Sequence, residues 1–514
     1  MGGCVWCCPC RQGRYIAVMT DLLLAIDEGT TSTRAMVFDR KGWPVATATR
    51  ALTQHYPRPG WVEHDPREIW EQTLAATRAA IAQVGGHQRI SAIGLTNQRE
   101  TIVFWDKATG EPMGPAIVWQ DRRTASICAE LEAEGHGEVV TAATGLPIDP
   151  YFSATKMGWA LKHRPELKDL LAAGRLAAGT VDSYLIFRLT GGLFVTDATN
   201  AARTQLMDLA TCQWREDLCD LFGVPRGILP EIVDSAGHLG DTQPELFGRA
   251  IPICGVAGDQ QAAAIGQACV TPGTVKATYG TGGFVLAHVG DAPRLSQNRL
   301  LATVAWRIDG KASYALEGSI FVAGSAVKWL RDQVGLVIEA DETERLARSV
   351  SSTEGVYLVP AFVGLGAPYW RPDARALLTG LTFGATRAHI VRACLEAMSY
   401  QTHDLMRAFR QDGVEPQVMR IDGGMAVNDW MAQDLADMLG LTVERPAVTE
   451  TTALGAAILA GAGCGMLGSV AEAGALWQPD RRFEPGLEDD ARMARLTGWR
   501  AAVAQALGEA FQPA

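Results

Sequence analysis

Apolar residues run almost unbroken from Leu22 to Ile26, stop at a polar turn, and resume from Ala35 to Phe38. This pattern predicts a buried strand, a tight turn and a second strand. Gly29, Thr30, Thr31 and Ser32 make the turn, and Asp27 and Arg34 flank it. Strand and helix patterns then alternate along the chain. In "GWVEHDPREIWEQTLAATRAAIAQVGG" Asp65 is placed to cap a helix, Pro66 opens it, and Glu68 follows the cap by three residues. "ISAIGLTN" and "TIVFWD" read as strands, the latter closed by the turn "KATG". "DLLAAGRLAAGTVDSYLIFRLTGG" and "EDLCDLFGVPRGILP" read as helix-like pieces with Pro/Gly punctuation.

Near residue 255 the pattern restarts. "IPICGVAGDQQAAAIGQACV" predicts a strand, a Gly-Asp turn and a small-residue helix. "GTVKATYGTGGFVLAHVG" then repeats the opening layout, with Gly280-Thr281-Gly282-Gly283 as its turn. Two such hairpins half a chain apart suggest duplicated α/β domains facing a cleft, although a single Gly/Thr turn is common in any fold. "HIVRACLEAMSYQTHDLMRAF" predicts a long amphipathic helix. "VMRIDGGMAVNDWMAQDLADMLG" predicts a strand, an Asp-Gly-Gly turn and a helix, and "TETTALGAAILAGAGCG" a helix of small residues suited to close packing.

Size and charge narrow the function classes. A chain of 514 residues exceeds one ordinary core, so two or more domains are expected. The formal net charge of -11, with no Lys/Arg run to offset it, argues against a nucleic-acid binder. No stretch approaches the ~18 uninterrupted apolar residues of a membrane span. Seven of the eleven cysteines are scattered from Cys128 to Cys464, which fits reduced thiols and a cytoplasmic location better than a disulfide framework. The other four, Cys4, Cys7, Cys8 and Cys10, crowd the start. Their Cys-x-x-Cys spacing suits zinc, but a second ligand pair is missing nearby. Residues 1–20 are expected to be a disordered extension, or upstream sequence read from an early start, with Met19 beginning the better chain. The remainder is divided into an N-terminal domain, 21–262, a C-terminal domain, 263–505, and a tail, 506–514.

The candidate chemistry is phosphate chemistry without a familiar phosphate motif. Neither Gly-x-x-x-x-Gly-Lys-Ser/Thr nor a strand-linked Gly-x-Gly-x-x-Gly is present, so P-loop and dinucleotide sites are disfavoured. The two hairpins instead offer glycines, which let backbone N–H groups approach an anion, and Thr/Ser hydroxyls. Asp27 is placed to hold a hydrated Mg2+, and Arg34 to add positive charge. Asp259, at a helix start, is a helix cap in its plainest reading and a proton acceptor for an attacking hydroxyl in its functional one. Arg99 and Glu100 offer donors and an acceptor to a small hydroxylated molecule, or simply face solvent at a strand end. Trp119 and Tyr151 are core aromatics or flat walls for such a ligand.

Twelve stretches, in order, carry a resemblance: "AIDEGTTSTR", "YPRPGWVEHDPREIW", "GLTNQRETIVFW", "AIVWQDRRT", "TGLPIDPYFSATK", "GTVDSYLIFRLTGG", "AGDQQAAAIGQ", "TYGTGGF", "YALEGSIFVAGSAVKWLRD", "VPAFVGLGAPYW", "IDGGMAVND" and "VERPAVTETTALGAA". From about Leu22 to Trp499 the chain resembles the FGGY family of carbohydrate kinases, and within it the members acting on glycerol. The resemblance implies an α/β fold of duplicated actin/hexokinase/Hsp70-like (ribonuclease H-like) domains around a central cleft. It implies transfer of the ATP γ-phosphoryl group to glycerol, giving sn-glycerol 3-phosphate and ADP, with Mg2+ as cofactor. Arg99, Glu100, Tyr151, Asp259 and Gln260 match residues that bind the substrate hydroxyls, and Trp119 and Phe284 the aromatic walls. Asp259 matches the general base. Thr30, Thr31, Ser32 and Arg34 match the first phosphate loop, and Thr281 the second. Gly324, Gly424 and Asn428 match nucleotide contacts, and Asp27 the carboxylate near magnesium. Relatives form homo-oligomers, dimers or tetramers.

Several positions depart from the family pattern. Glu28 stands where many members have Gln, Lys328 replaces a nucleotide-side Gln, and Gly283 also differs. Phe383 occupies a position where Arg is usual and which is tied to subunit contacts or stability. "GDTQPELFGRAIP" lacks the glycine-rich basic loop that binds fructose 1,6-bisphosphate in some relatives. Competing readings are a kinase for another polyol or ketose, such as erythritol or dihydroxyacetone, and a weakly active regulatory member, which the intact Asp27 and Asp259 disfavour.

Overall fold

The computed structural model describes residues 21–510, so the expectations for residues 1–20 and for 511–514 lie outside the described residues. Two large mixed sheets organise the chain. The first has the spatial order Ala236–Asp241, Pro252–Gly258, Ile90–Asn97, Leu22–Glu28, Ser32–Phe38, Pro44–Ala51. The second runs Pro479–Phe483, Thr442–Pro446, Val418–Asp422, Thr274–Tyr279, Gly283–Gly290, Lys311–Ile320, Leu301–Ile308.

The pairing senses agree strand for strand. In each sheet the first hairpin is antiparallel, and its second strand pairs antiparallel with the strand beyond it. On the other side two parallel neighbours follow, then an antiparallel edge. Leu301–Ile308 is an addition to the second sheet. The duplication expected from the two Gly/Thr hairpins is therefore present in the topology. The central strands are buried on both faces, and for that reason they read as continuous apolar runs rather than alternating ones.

Local signals explain most helices. The Asp65 side chain accepts from the Arg67 backbone N–H and Pro66 is the first helical residue of Pro66–Gln83. Glu68 does not close a capping box, because its carboxylate bonds the Thr53 hydroxyl and N–H instead. The segment "DLLAAGRLAAGTVDSYLIFRLTGG" differs from its helical reading. Between helices Glu166–Ala172 and Val181–Thr190 lies a buried strand, Leu176–Thr180, paired with Ile102–Asp106. The Gly-Asp turn expected before residue 260 is also absent, since Pro252–Gly258 passes directly into the helix Asp259–Gly266. That helix crosses the 262/263 division expected from the sequence. The last helix, Asp489–Leu507, extends two residues into the segment expected as a tail.

The two halves interlock through a helix crossing. Helix Thr451–Gly463, from the second half, packs on the first sheet and against Asp259–Gly266. Gly455 lies on the Ala262 carbonyl and Gly266 on the Thr451 carbonyl, so close that a Cβ at either position would overlap that oxygen. Small residues are required there because the backbones themselves touch. The seven cysteines among the described residues are unpaired, six of them buried and Cys464 exposed. No helix among these residues is long and apolar enough to cross a membrane.

Because the Gly455 contact is backbone against backbone, it cannot relax by a side-chain rotation. Gly455→Ala is expected to lower stability to urea unfolding by about 2–4 kcal/mol. Gly227→Ala, where an added Cβ meets nothing within 4 Å, should stay within about 0.5 kcal/mol of the wild type. Equal midpoints for the two variants would contradict the crossing.

Candidate active site

The cleft between the halves collects most of the predicted residues. Arg99 and Glu100 follow the central strand Ile90–Asn97, and Asp259 opens the helix after the neighbouring strand Pro252–Gly258. Arg99 Nε lies 3.1 Å from Asp259 Oδ1 and 3.9 Å from Glu100 Oε1. Its Nη2 donates to the Tyr151 hydroxyl at 3.4 Å. Burial pushes the Asp259 carboxyl above its ordinary range and Glu100 adds repulsion, while Arg99 and Lys276 oppose the rise. The carboxylate remains about one-third exposed, so it faces the cleft rather than the core.

Aromatic side chains from both halves meet over this floor. Ring centroids are 5.6 Å apart for Trp119 and Tyr151, and 6.4 Å for Trp119 and Phe284, both edge-on. The Trp119 indole N–H donates to the Thr30 hydroxyl at 2.9 Å, which ties the aromatic wall to the first Gly/Thr turn. Tyr151 is held from behind by Lys156, a fully buried ammonium donating to the carbonyls of Pro150, Tyr151 and Phe152 at 2.7–2.9 Å. Burial lowers the Lys156 pKa to about 8, partly opposed by Glu100, Asp121 and Asp149.

Four buried residues at this site were not singled out from sequence: Glu317, Arg203, Lys276 and Lys156. Glu317, on Lys311–Ile320 of the second half, accepts from Arg99 Nη1 at 2.5 Å and Nη2 at 3.0 Å, and from Arg203 Nη2 at 3.2 Å. Arg203 Nε donates to Glu100 at 2.7 Å. Lys276 donates to the Gln260 side-chain carbonyl, which leaves the Gln260 amide nitrogen for other partners. Burial lowers the Lys276 pKa, although Asp422, Asp259 and Glu317 oppose this. Sheet register carries a signal for two of the four. Lys276, Leu286, Glu317 and Leu301 lie in one row across four strands, and Thr278, Phe284 and Ser319 in the next row on the same face.

The phosphate-side candidates are more dispersed. Thr30, Thr31 and Ser32 form the first turn, with the Gly29 N–H bonded to the Ser32 carbonyl. Arg34 pairs with Glu450, just before the crossing helix Thr451–Gly463, and so bridges the halves. Asp27 is the strand partner of Arg34. Burial pushes its pKa to about 7 against the pull of Arg34, with Asp259 and Glu450 adding to the rise.

On the opposite lip the Thr281 carbonyl accepts from the N–H groups of Ala323 and Ser325, and the Gly324 N–H donates to the Gly280 carbonyl. The second turn and the start of helix Gly324–Trp329 are thus one unit. Gly424 opens the short 3-10 helix Gly424–Val427 with open space beside it. Asn428 is committed locally, since its oxygen caps helix Asp429–Leu439 at the Met431 N–H and its amide donates to Thr343. Lys328 is exposed on Gly324–Trp329. Glu28, beside the first turn, points into the interior. Its carboxylate is wholly buried, accepting from the hydroxyls of Thr33 and Thr73, with Oε1 unpartnered.

Comparison with known proteins shows the family. The family model for the N-terminal domain of the FGGY family of carbohydrate kinases matches residues 22–266, and that for the C-terminal domain matches 275–464. The chain is 54% identical over 485 residues to the glycerol kinase of Rhodospirillum rubrum, covering 94% of this chain and 98% of that one. It is 53% identical over 494 residues to glycerol kinase 1 of Pseudomonas aeruginosa, covering 96% and 100%. Among solved structures it is similar to the Plasmodium falciparum glycerol kinase with ADP, at a TM-score of 0.90 and 36% identity over 96% of this chain and 99% of that chain.

Glu28 generates a pH prediction. Burial raises its pKa from 4.5 to about 8, with Asp27 adding to the rise and the Thr33 and Thr73 hydroxyls opposing it. A carboxyl raised on folding stabilises fully below pH 4.5, and that contribution is lost as pH climbs through about 8. In the nucleotide- and magnesium-free protein, Glu28→Gln is expected to match the wild type near pH 4.5. It should exceed it by a few kcal/mol (about 1.4 kcal/mol per pKa unit) at pH 9. Unfolding midpoints across that range test this, and a gain independent of pH would contradict it.

Proposed function

The chain belongs to the FGGY family of carbohydrate kinases, and we propose that it transfers the γ-phosphoryl group of ATP to a terminal hydroxyl of glycerol. The observation that carries the substrate reading is the juxtaposition of Arg99, Glu100, Asp259 and Gln260 beneath the Trp119, Tyr151 and Phe284 rings. Such a site pairs hydroxyls with charged and amide groups and lays a short carbon chain against apolar faces. Its likeness to glycerol kinases over nearly the whole chain supports the same substrate.

The chemistry follows from the placement of Asp259. The glycerol oxygen attacks the γ-phosphorus, the new O–P bond forms as the bond to the ADP oxygen breaks, and the hydroxyl proton passes to the Asp259 carboxylate. A raised pKa makes that carboxylate a better proton acceptor near neutral pH than an ordinary Asp. Arg99 Nε, 3.1 Å away, fixes its orientation. Thr30, Thr31, Ser32 and Thr281 are read as the phosphate grip, and Gly324, Gly424 and Asn428 as the nucleotide wall. In that reading Arg34 exchanges part of its contact with Glu450 for phosphate.

Asp27 is read as the Mg2+ carboxylate. It fits in one respect: Asp259 and Glu450 both repel the Asp27 charge, Arg34 opposes them, and a cation there would relieve the repulsion. No cluster of three or more metal-binding side chains occurs among the described residues, which suits an ion held by one carboxylate, waters and substrate phosphates. When bound, Mg2+ would neutralise phosphate charge. We further read the protein as cytoplasmic and homo-oligomeric, the latter supported by the exposed Leu381 and Phe383.

The test is ADP release with ATP and Mg2+ over glycerol, erythritol, dihydroxyacetone, xylulose and ribulose. Glycerol is expected to lead in kcat/KM, and Asp259→Asn to lose about 10²–10⁴-fold in kcat while remaining folded. A different leading polyol would move the substrate assignment, and a fully active Asn variant would remove Asp259 from the base role.

A further inference from the structure

We propose that Glu317 is a positioning residue for the substrate site: reaching across from the C-terminal half, it engages both terminal nitrogens of Arg99, so that Asp259 keeps only a single contact with the guanidinium, through Nε, and has an oxygen left for a substrate hydroxyl. This rests on the reading of Arg99 and Asp259 as substrate groups.

The argument begins with how Arg99 is shared. A guanidinium presents five N–H donors in a rigid fork, and a carboxylate prefers to take two of them in parallel. Two carboxylates compete for Arg99. Glu317 takes both terminal nitrogens, at 2.5 and 3.0 Å, and leaves Asp259 only Nε, at 3.1 Å. Were Glu317 uncharged, the nearest remaining anions would be Asp259 and Glu100, whose Oε1 lies 3.9 Å from Nε. Both are candidate partners of the substrate hydroxyls. A full two-pronged pair with Asp259 would occupy its proton-accepting oxygens.

Glu317 is suited to this task and to little else. It is fully buried, and it contacts Arg203 as well as Arg99. Burial opposes its ionisation, yet Arg203 and Arg99 outweigh that and hold its pKa at about 2, with Lys276 contributing. It therefore stays an anion throughout the working pH range. Arg203 extends the same arrangement to Glu100 at 2.7 Å, so both substrate-facing residues after strand Ile90–Asn97 are fixed by a guanidinium–carboxylate chain. Because Glu317 sits on strand Lys311–Ile320, the orientation of Arg99 depends on the position of the second half relative to the first.

Three forms of the full-length protein decide the matter: wild type, Glu317→Gln and Glu317→Asp. Each is assayed for the KM of glycerol, the KM of ATP and kcat, with ADP binding measured separately as a check on folding. Glu317→Gln is expected to raise the glycerol KM at least tenfold and lower kcat, with the ATP KM and ADP affinity within twofold of wild type. Glu317→Asp keeps the charge and should recover part of the glycerol KM. A purely structural role would move the glycerol and ATP constants together, or neither, and either result overturns the proposal. If the Gln variant is not recovered folded, the Asp variant decides: a glycerol KM raised threefold or more at constant ATP KM supports the proposal, and an unchanged one overturns it. Inactivity of the wild type on glycerol would instead defeat the substrate reading, a result distinct from both.

Discussion

Helix Asp259–Gly266 and helix Thr451–Gly463 touch backbone to backbone, and the carboxylates of Asp259 and Glu450 sit at the starts of these two crossing helices. Gly455 on Ala262 and Gly266 on Thr451 leave no room for adjustment along or across the contact. The N-terminus of one helix presents Asp259, and the residue before the other is Glu450, which pairs with Arg34 of the first hairpin. Helix Thr451–Gly463 is covalently part of the second half but packs against strands of the first. The halves are therefore not two beads on a string. Displacing one sheet relative to the other must rotate the crossing, and with it the carboxylates at its ends.

The seam carries a concentration of buried charge that a stability-driven core would avoid. Desolvating an ion costs several kcal/mol, and pairing it recovers that only with good geometry. The Arg99–Glu317–Arg203–Glu100 chain meets that condition among itself. Asp27, Asp259 and Glu28 do not, and burial raises the pKa of each. Asp27 and Asp259 repel one another across the first half, while Glu28 is sealed beneath the sheet. For Asp27 and Asp259 the proposed function supplies an explanation, the first as the Mg2+ carboxylate and the second as the base. For Glu28, beneath the sheet with one oxygen unpartnered, the structure offers no functional account.

What the sequence made legible follows from the range of the interactions involved. The hairpins, the Asp65 cap and the helix Arg387–Gln411 are set by neighbours within a few residues, and their patterns are plain in the chain. Strand Leu176–Thr180 was hidden because "LAAGT" is small, fully buried and without alternation, and its pairing with Ile102–Asp106 is remote in sequence. Arg99, Glu100, Asp259 and Gln260 were nameable from motifs. Glu317 and Arg203 were not, since each gains meaning only from a partner more than a hundred positions away. Lys276 and Lys156 looked like ordinary charged residues until their burial was known. Asn428 shows the converse: a motif position whose side chain is already spent on a helix cap.

The aromatic wall and the phosphate turns are one construction rather than two subsites. Trp119 lies beside Tyr151 and Phe284, yet its indole N–H is bonded to Thr30 of the first turn. Phe284 belongs to the strand that leaves the second turn. One hydrogen bond and one strand therefore join the rings to the two turns. For a phosphoryl transfer this matters because water is always the competing acceptor. Positioning the acceptor and excluding water are then achieved by the same side chains, with the barrier lowered chiefly by alignment rather than by covalent chemistry. The bond from Trp119 to Thr30 ties the aromatic wall to the first turn.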